Sequence, residues 1–227
     1  MGGGIIYVPV FFFFFGLPIK DAIGTSLLII VFSSLSALLT HWRGKQVDFQ
    51  LAWFVVLSGA LGAQIGVFIT SALPDLYVKV FFIALTALLS ARMWLEDKSV
   101  SATDRMPYRL NAWVACLIGL VGGIVSGMGG IGGAIIIVPM MHFLMKVPMH
   151  ICIGTTLVAV FFNSLSGSIG YLVKDMVGVR IAFIVSCAAV ICAPLGARLS
   201  MKLAQKRLRR IFALVLIFAS AAVLFKR

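Results

Sequence analysis

Two sets of hydroxyl and amide side chains follow clusters of glycine in this 227-residue chain. Thr25, Ser26, Ser33, Ser34 and Ser36 come after Gly2, Gly3 and Gly4, while Thr155, Thr156, Asn163, Ser164 and Ser166 come after Gly127, Gly129, Gly130, Gly132 and Gly133. Glycine tolerates non-helical dihedrals and lets the backbone approach a ligand with no Cβ in the way. Backbone N–H groups freed at a broken helix, together with the positive end of the helix dipole, hold an anion without a full positive charge. Hydroxyls and an amide on the next helix add further donors. These residues therefore support capture of a small anion. The candidate contacts are Gly2, Gly3, Thr25, Ser26 and Ser34 from one set and Gly132, Gly133, Thr155, Thr156, Asn163 and Ser164 from the other. The same residue types at the same spacing also serve close helix packing in membranes.

Other chemistry has little to build on. The seven acids, Asp21, Asp48, Asp75, Glu96, Asp97, Asp104 and Asp175, fall at loops or helix ends. A carrier of protons or cations usually keeps a carboxylate at depth, so an anionic or neutral cargo is expected. Gly127-Met128-Gly129-Gly130-Ile131-Gly132 has the glycine spacing of a dinucleotide site, but it follows an apolar helix rather than a strand, and no acid lies about twenty residues on. Ser126 lacks the flanking glycines of a nucleophile elbow. His41, His142 and His150 stand at segment ends, where interfacial solvation accounts for them. Cys116, Cys152, Cys187 and Cys192 lie in apolar stretches without the pairing of a zinc site or a disulfide framework. No catalytic site, metal or cofactor is implied.

The elements that must position the glycines and hydroxyls are membrane helices. Hydrophobic residues make up 62% of the chain and charged residues 11%, too little polar surface to cover a water-soluble fold. The chain has room for roughly seven or eight membrane segments of about 20 apolar residues each. An excess of 19 Lys and Arg over seven acids gives a net charge of +12. The basic residues sit between the apolar runs, as topology signals do, and no nucleic-acid partner is called for. The runs are Ile5 to Leu17, Ala22 to Thr40, Leu51 to Leu73 and Tyr77 to Leu95, then Asn111 to Met145, Ile151 to Val173, Ile181 to Ala197 and Ile211 to Phe225. The stretch from Asn111 to Met145 would be about 50 Å long as one helix, beyond a bilayer core of about 30 Å. Its glycines predict two arms meeting at a turn that lines a cavity.

Sliding the chain against itself by 130 residues aligns Gly2-Gly3 with Gly132-Gly133, Val8-Pro9 with Val138-Pro139 and Pro18 with Pro148. The same register aligns Gly24-Thr25 with Gly154-Thr155, Ser34-Leu35-Ser36 with Ser164-Leu165-Ser166 and Gly66 with Gly196. Apolar composition would match Leu and Val by chance, but not Gly, Pro and Ser in one continuous register. The reading is a duplicated membrane domain, residues 1–97 and 111–227, joined by a polar linker at 98–110. The loop near Asp75 carries Lys79 alone, whereas its counterpart carries Arg198, Lys202, Lys206, Arg207, Arg209 and Arg210. Opposite orientation of the halves, with the basic loop cytoplasmic, explains that inequality.

Two ordered copies of a glycine cluster, Val-Pro, Pro, Gly-Thr and a Ser-Leu-Ser triplet resemble the sulfite exporter TauE/SafE family, also grouped as toluene-sulfonate uptake permeases. The resemblance covers essentially the whole chain. It implies a multi-pass transporter of a bacterial inner (plasma) membrane for small sulfur-containing anions such as sulfite, sulfonates or sulfoacetate. Its partners would be the anionic substrate and the lipid bilayer, and a homo-oligomer is compatible with it. A membrane-embedded enzyme and a non-transporting accessory subunit are the competing readings. Family members usually carry an apolar arm before the first glycine cluster. The first copy here shows no equivalent of Asn111 to Gly127, so the expectation is either an earlier start or a first half with a single arm.

Overall fold

The computed structural model describes residues 3–42, 48–95 and 111–202, and every regular element among them is an α-helix. Eight helices follow in order: α1 (Gly3–Phe13), α2 (Ile19–Trp42), α3 (Phe49–Ala72), α4 (Asp75–Leu95), α5 (Ala112–Gly129), α6 (Ala134–Met145), α7 (Met149–Val173) and α8 (Val179–Lys202). Four contain stretches long and apolar enough to cross a membrane: Ile19–Leu38, Phe49–Ala72, Ala112–Gly129 and Ile151–Val173. Gly2, the linker and the expected run from Ile211 to Phe225 lie outside the described residues.

The long apolar stretch divides as its length requires. α5 ends at Gly130, which takes the left-handed conformation at φ 67° and donates its N–H to Ser126 O. Gly132 and Gly133 both have φ 76° before α6 begins. A left-handed backbone is costly for any residue with a Cβ, so three glycines at these positions reverse the chain in four residues. The break is narrower than the run of glycines suggests, because Gly127 and Gly129 remain helical.

Helix bounds recur at the 130-residue offset. Ile19–Trp42 shifted by 130 becomes 149–172, against Met149–Val173 for α7, and Phe49–Ala72 becomes 179–202, the bounds of α8. α1 matches α6 in the same way, each with a proline inside, Pro9 and Pro139. The two hydrophobic cores also use matching positions. Val8, Phe11, Ala22 and Ile29 are buried in one, and Val138, Met141, Cys152 and Ala159 in the other.

Contacts fix the relative directions. Gly24 abuts Tyr171, and Leu27 abuts Gly167, so α2 and α7 run antiparallel. Gly59 meets Asn163 and Gln64 meets Gly170, so α3 and α7 run parallel. α3 is also parallel to α5, with Val55 on Gly119, Gly59 on Gly123 and Ala63 on Gly127. A Cβ at Gly123 would collide with Gly59 O. Small residues permit this backbone approach, and van der Waals contact then holds the helices where lipid offers no hydrophobic drive.

Charged groups gather at helix ends. Lys20, at the start of α2, pairs with Asp75 at 3.3 Å and donates to Ser71 O at 3.3 Å. Lys174, after α7, donates to Ser71 Oγ at 2.5 Å. One corner between α3 and α4 is thereby tied to both α2 and α7. Asp48 caps α3 by accepting from Leu51 N at 3.1 Å.

Candidate functional site

The glycine turn between α5 and α6 is enclosed by α1, α2 and α7. Gly4, one residue into α1, lies directly against it: a Cβ there would fall 2.6 Å from Gly130 O and 2.8 Å from Ile131 Cα. The glycine segments of the two repeats therefore touch. Ile23 and Val8 pack over Gly130, and Val160 and Ile30 over Gly132.

Polar groups approach the turn from both neighbouring helices. Ser26 of α2, fully buried, donates to Gly130 O at 2.8 Å. From α7, Ser164 Oγ would lie 3.5 Å from a Cβ on Gly132. Ser164 is fully buried and its hydroxyl has no hydrogen-bond partner. The same holds for Ser126, in the last turn of α5, and for both polar atoms of Asn163. A buried donor or acceptor without a partner costs about 1 to 3 kcal/mol, so each of these groups has capacity for a polar partner. None of the buried polar side chains among the described residues is charged.

The expected contacts separate on inspection. Ser26, Gly132 and Ser164 come together at the turn, joined by Gly4 and Gly130. Gly3 begins α1 one residue before Gly4, and the expectation for Gly2 lies outside the described residues. Gly133 faces inward, where a Cβ would lie 2.5 Å from Gly122 O of the same hairpin. Asn163 leans on Gly59 of α3. Ser34 donates to Val31 O of its own helix at 3.1 Å, and Thr156 to Met141 Sδ at 3.7 Å.

Thr25 and Thr155 have another placement. Thr25 Oγ1 accepts from Gly178 N at 2.9 Å, and Thr155 Oγ1 accepts from Asp48 N at 3.1 Å. Both partners of the second bond stand 130 positions from those of the first. Each threonine thus fastens the start of an opposite helix, α8 or α3.

Ser126 matches no motif in the sequence beyond its place in a glycine-rich run. Tyr171 also escaped notice. It is fully buried and donates to Gly127 O at 2.9 Å, holding the last turn of α5 to α7. A tyrosine inside an apolar run was the available signal, since a buried phenol needs a partner.

The sulfite exporter TauE/SafE family matches residues 1–223. The chain belongs to that family. Among its relatives is the probable membrane transporter protein YunE of Bacillus subtilis (strain 168), 27% identical over all of this chain and 91% of its own length. A probable membrane transporter protein of Methanocaldococcus jannaschii is 27% identical over 92% of this chain and 82% of its own. One from Xylella fastidiosa (strain Temecula1) is 27% identical over 99% of this chain and 88% of its own. No solved structure matches. Membership in a transporter family, with four helices among the described residues long and apolar enough to cross a bilayer, makes this TauE/SafE protein a membrane protein with a small-molecule substrate.

Proposed function

We propose that this TauE/SafE protein carries small sulfur-containing oxyanions, such as sulfite or sulfonates, across a bacterial-type inner membrane. The anion is held where the glycine segments meet, between two halves of opposite orientation. The observation that carries this reading is the contact of Gly4 with Gly130 and Ile131, beside the partnerless hydroxyl of Ser164. Backbone dipoles and hydroxyl donors suit an anion that must later leave, since a buried cation would hold it too firmly. Transport rather than catalysis fits a site without a nucleophile and base in reach of one another.

Two further observations support opposite orientation. The equivalent helices α2 and α7 run antiparallel. The threonine bonds exchange partners between halves, as a two-fold axis relating the halves would produce.

Counterflow of labelled sulfite in proteoliposomes tests the transport reading. Accumulation driven by unlabelled sulfite inside is expected, and its absence for both sulfite and sulfonates removes the reading. Orientation is tested by impermeant thiol labelling in intact cells of single cysteines at Asp75 and Ser200, with the native cysteines replaced. Labelling is expected at Asp75 alone. Equal labelling of both sites from outside rules out opposed halves.

A further inference from the structure

We infer that a groove between α2, α3 and α7 is a binding site for one acyl chain of a membrane phospholipid. The inference stands apart from the anion reading and needs only that the protein sits in a bilayer.

The groove encloses about 240 Å³ and presents no polar atom. Ala52 and Val56 of α3, both buried, line it together with Phe161 and Phe162 of α7. Its depth in the membrane follows from α3. That helix begins at Phe49, where Asp48 caps it, and is apolar enough to span from Phe49 to Ala72. The lining positions Phe49, Ala52, Trp53 and Val56 occupy its first two turns, about 10 Å along the axis at 1.5 Å per residue. The groove therefore starts at the level of the headgroups, where tryptophan is favoured. From there it descends about a third of the way through a hydrocarbon core of about 30 Å. A lipid chain takes the same course.

The lining excludes other occupants. Water in a cavity needs polar partners and finds none, and the same holds for an anion. A helix about 10 Å across fills roughly 800 Å³ over the same length, so a second copy of the protein could insert no more than a side chain. A methylene chain is narrow enough to enter. An empty groove would forfeit dispersion contact along Phe161, Phe162 and Trp53. An acyl chain seated there touches three helices, unlike one lying on the convex face of α5, where Trp113 is 88% exposed.

The other half does not repeat this lining. At the positions 130 residues away, Leu38 of the groove becomes Ser168 and Val56 becomes Ser186, both buried, and the Ser186 hydroxyl has no partner. Hydroxyls make that place a poor one for an acyl chain, so a single site per protein is expected.

The test uses brominated phosphatidylcholine, which quenches tryptophan fluorescence on contact, added to the detergent-purified full chain. Two single-tryptophan forms are compared, one keeping Trp53 and the other Trp113, with the remaining tryptophans replaced by Phe. Trp53 should reach half of its final quenching at a lipid-to-detergent ratio at least about tenfold below that of Trp113. Native mass spectrometry should show a single retained phospholipid. Ala52→Leu, which fills the groove, should abolish both the retained lipid and the difference between the two tryptophans, with Trp113 unchanged. Coincident curves before that substitution would reduce the groove to ordinary contact with bulk lipid and overturn the inference. So would a Trp53 that stays unquenched in a protein dimeric by light scattering, since a second copy would then cover the groove. A difference that survives Ala52→Leu places the lipid elsewhere and removes the site. Should Ala52→Leu fail to fold, Val158→Phe fills the same groove from α7 and is read in the same way.

Discussion

α3 and α8 hold equivalent places in the two repeats, with bounds 130 residues apart at both ends, yet their surroundings differ. Val55 of α3 is fully buried, whereas its counterpart Val185 is partly exposed; Phe54 is partly buried, whereas Ile184 is 70% exposed. The cause is α5, which lies along α3 and has no counterpart on α8 among the described residues. The sequence of each helix agrees with its situation. Where α3 has Gly59 and Gly62, α8 has Ala189 and Cys192, and only Gly66 keeps its glycine as Gly196. Duplication has therefore preserved the helix and its ties to α2 and α7, while the distance at which another backbone can approach has changed. One or two side-chain heavy atoms make that difference.

The largest expected effect follows from this contrast. Gly59→Val would drive a branched side chain into Asn163 of α7, since even a Cβ there would collide with its Oδ1, and overpacking of a close helix contact costs about 1 to 3 kcal/mol or more. Loss of monodisperse protein, or a large fall in thermal midpoint in detergent, is expected. Ala189→Val, the matched change on α8, enlarges a half-buried residue at the margin of the first core and should cost less, about 1 kcal/mol or below. Equal sensitivity at the two positions would mean that α8 carries a close neighbour of its own, and the comparison would fail.

Much of the fold was legible because membrane helices announce themselves by length and hydropathy. The break after α5 was legible in its glycines but not in its extent. Gly127 packs on α3 and its carbonyl accepts from Tyr171, while Gly129 packs on Leu85 of α4, and nothing local in the sequence encodes those partners. α2 begins three residues before the expected Ala22, since Lys20 and Asp21 end an apolar run without ending a helix. At the candidate site, Ser26, Gly132 and Ser164 could be read from the repeat. The bonds of Thr25 and Thr155 could not, because each joins groups more than 100 residues apart, and the backbone N–H groups that they serve look alike at every position.

Those two bonds give the finest test of equivalence between the repeats. Thr→Val keeps shape but removes the acceptor, leaving a backbone N–H at a helix start without its partner at a cost of about 1 to 3 kcal/mol. The two sites are not equally protected. Asp48 still caps α3 through its own side chain, which accepts from Leu51 N, so Thr155→Val leaves that first turn partly satisfied. Gly178 has no side chain to offer the start of α8. Thr25→Val should therefore lower the thermal midpoint more than Thr155→Val, and the double variant should show the sum, because the two bonds share no partner. Replacing Asp48 by Ala in the Thr155→Val background should then bring the two repeats level, since an N-cap contributes about 1 kcal/mol. A Thr155→Val loss equal to or larger than that of Thr25→Val would show that the Asp48 cap depends on the threonine bond rather than backing it up.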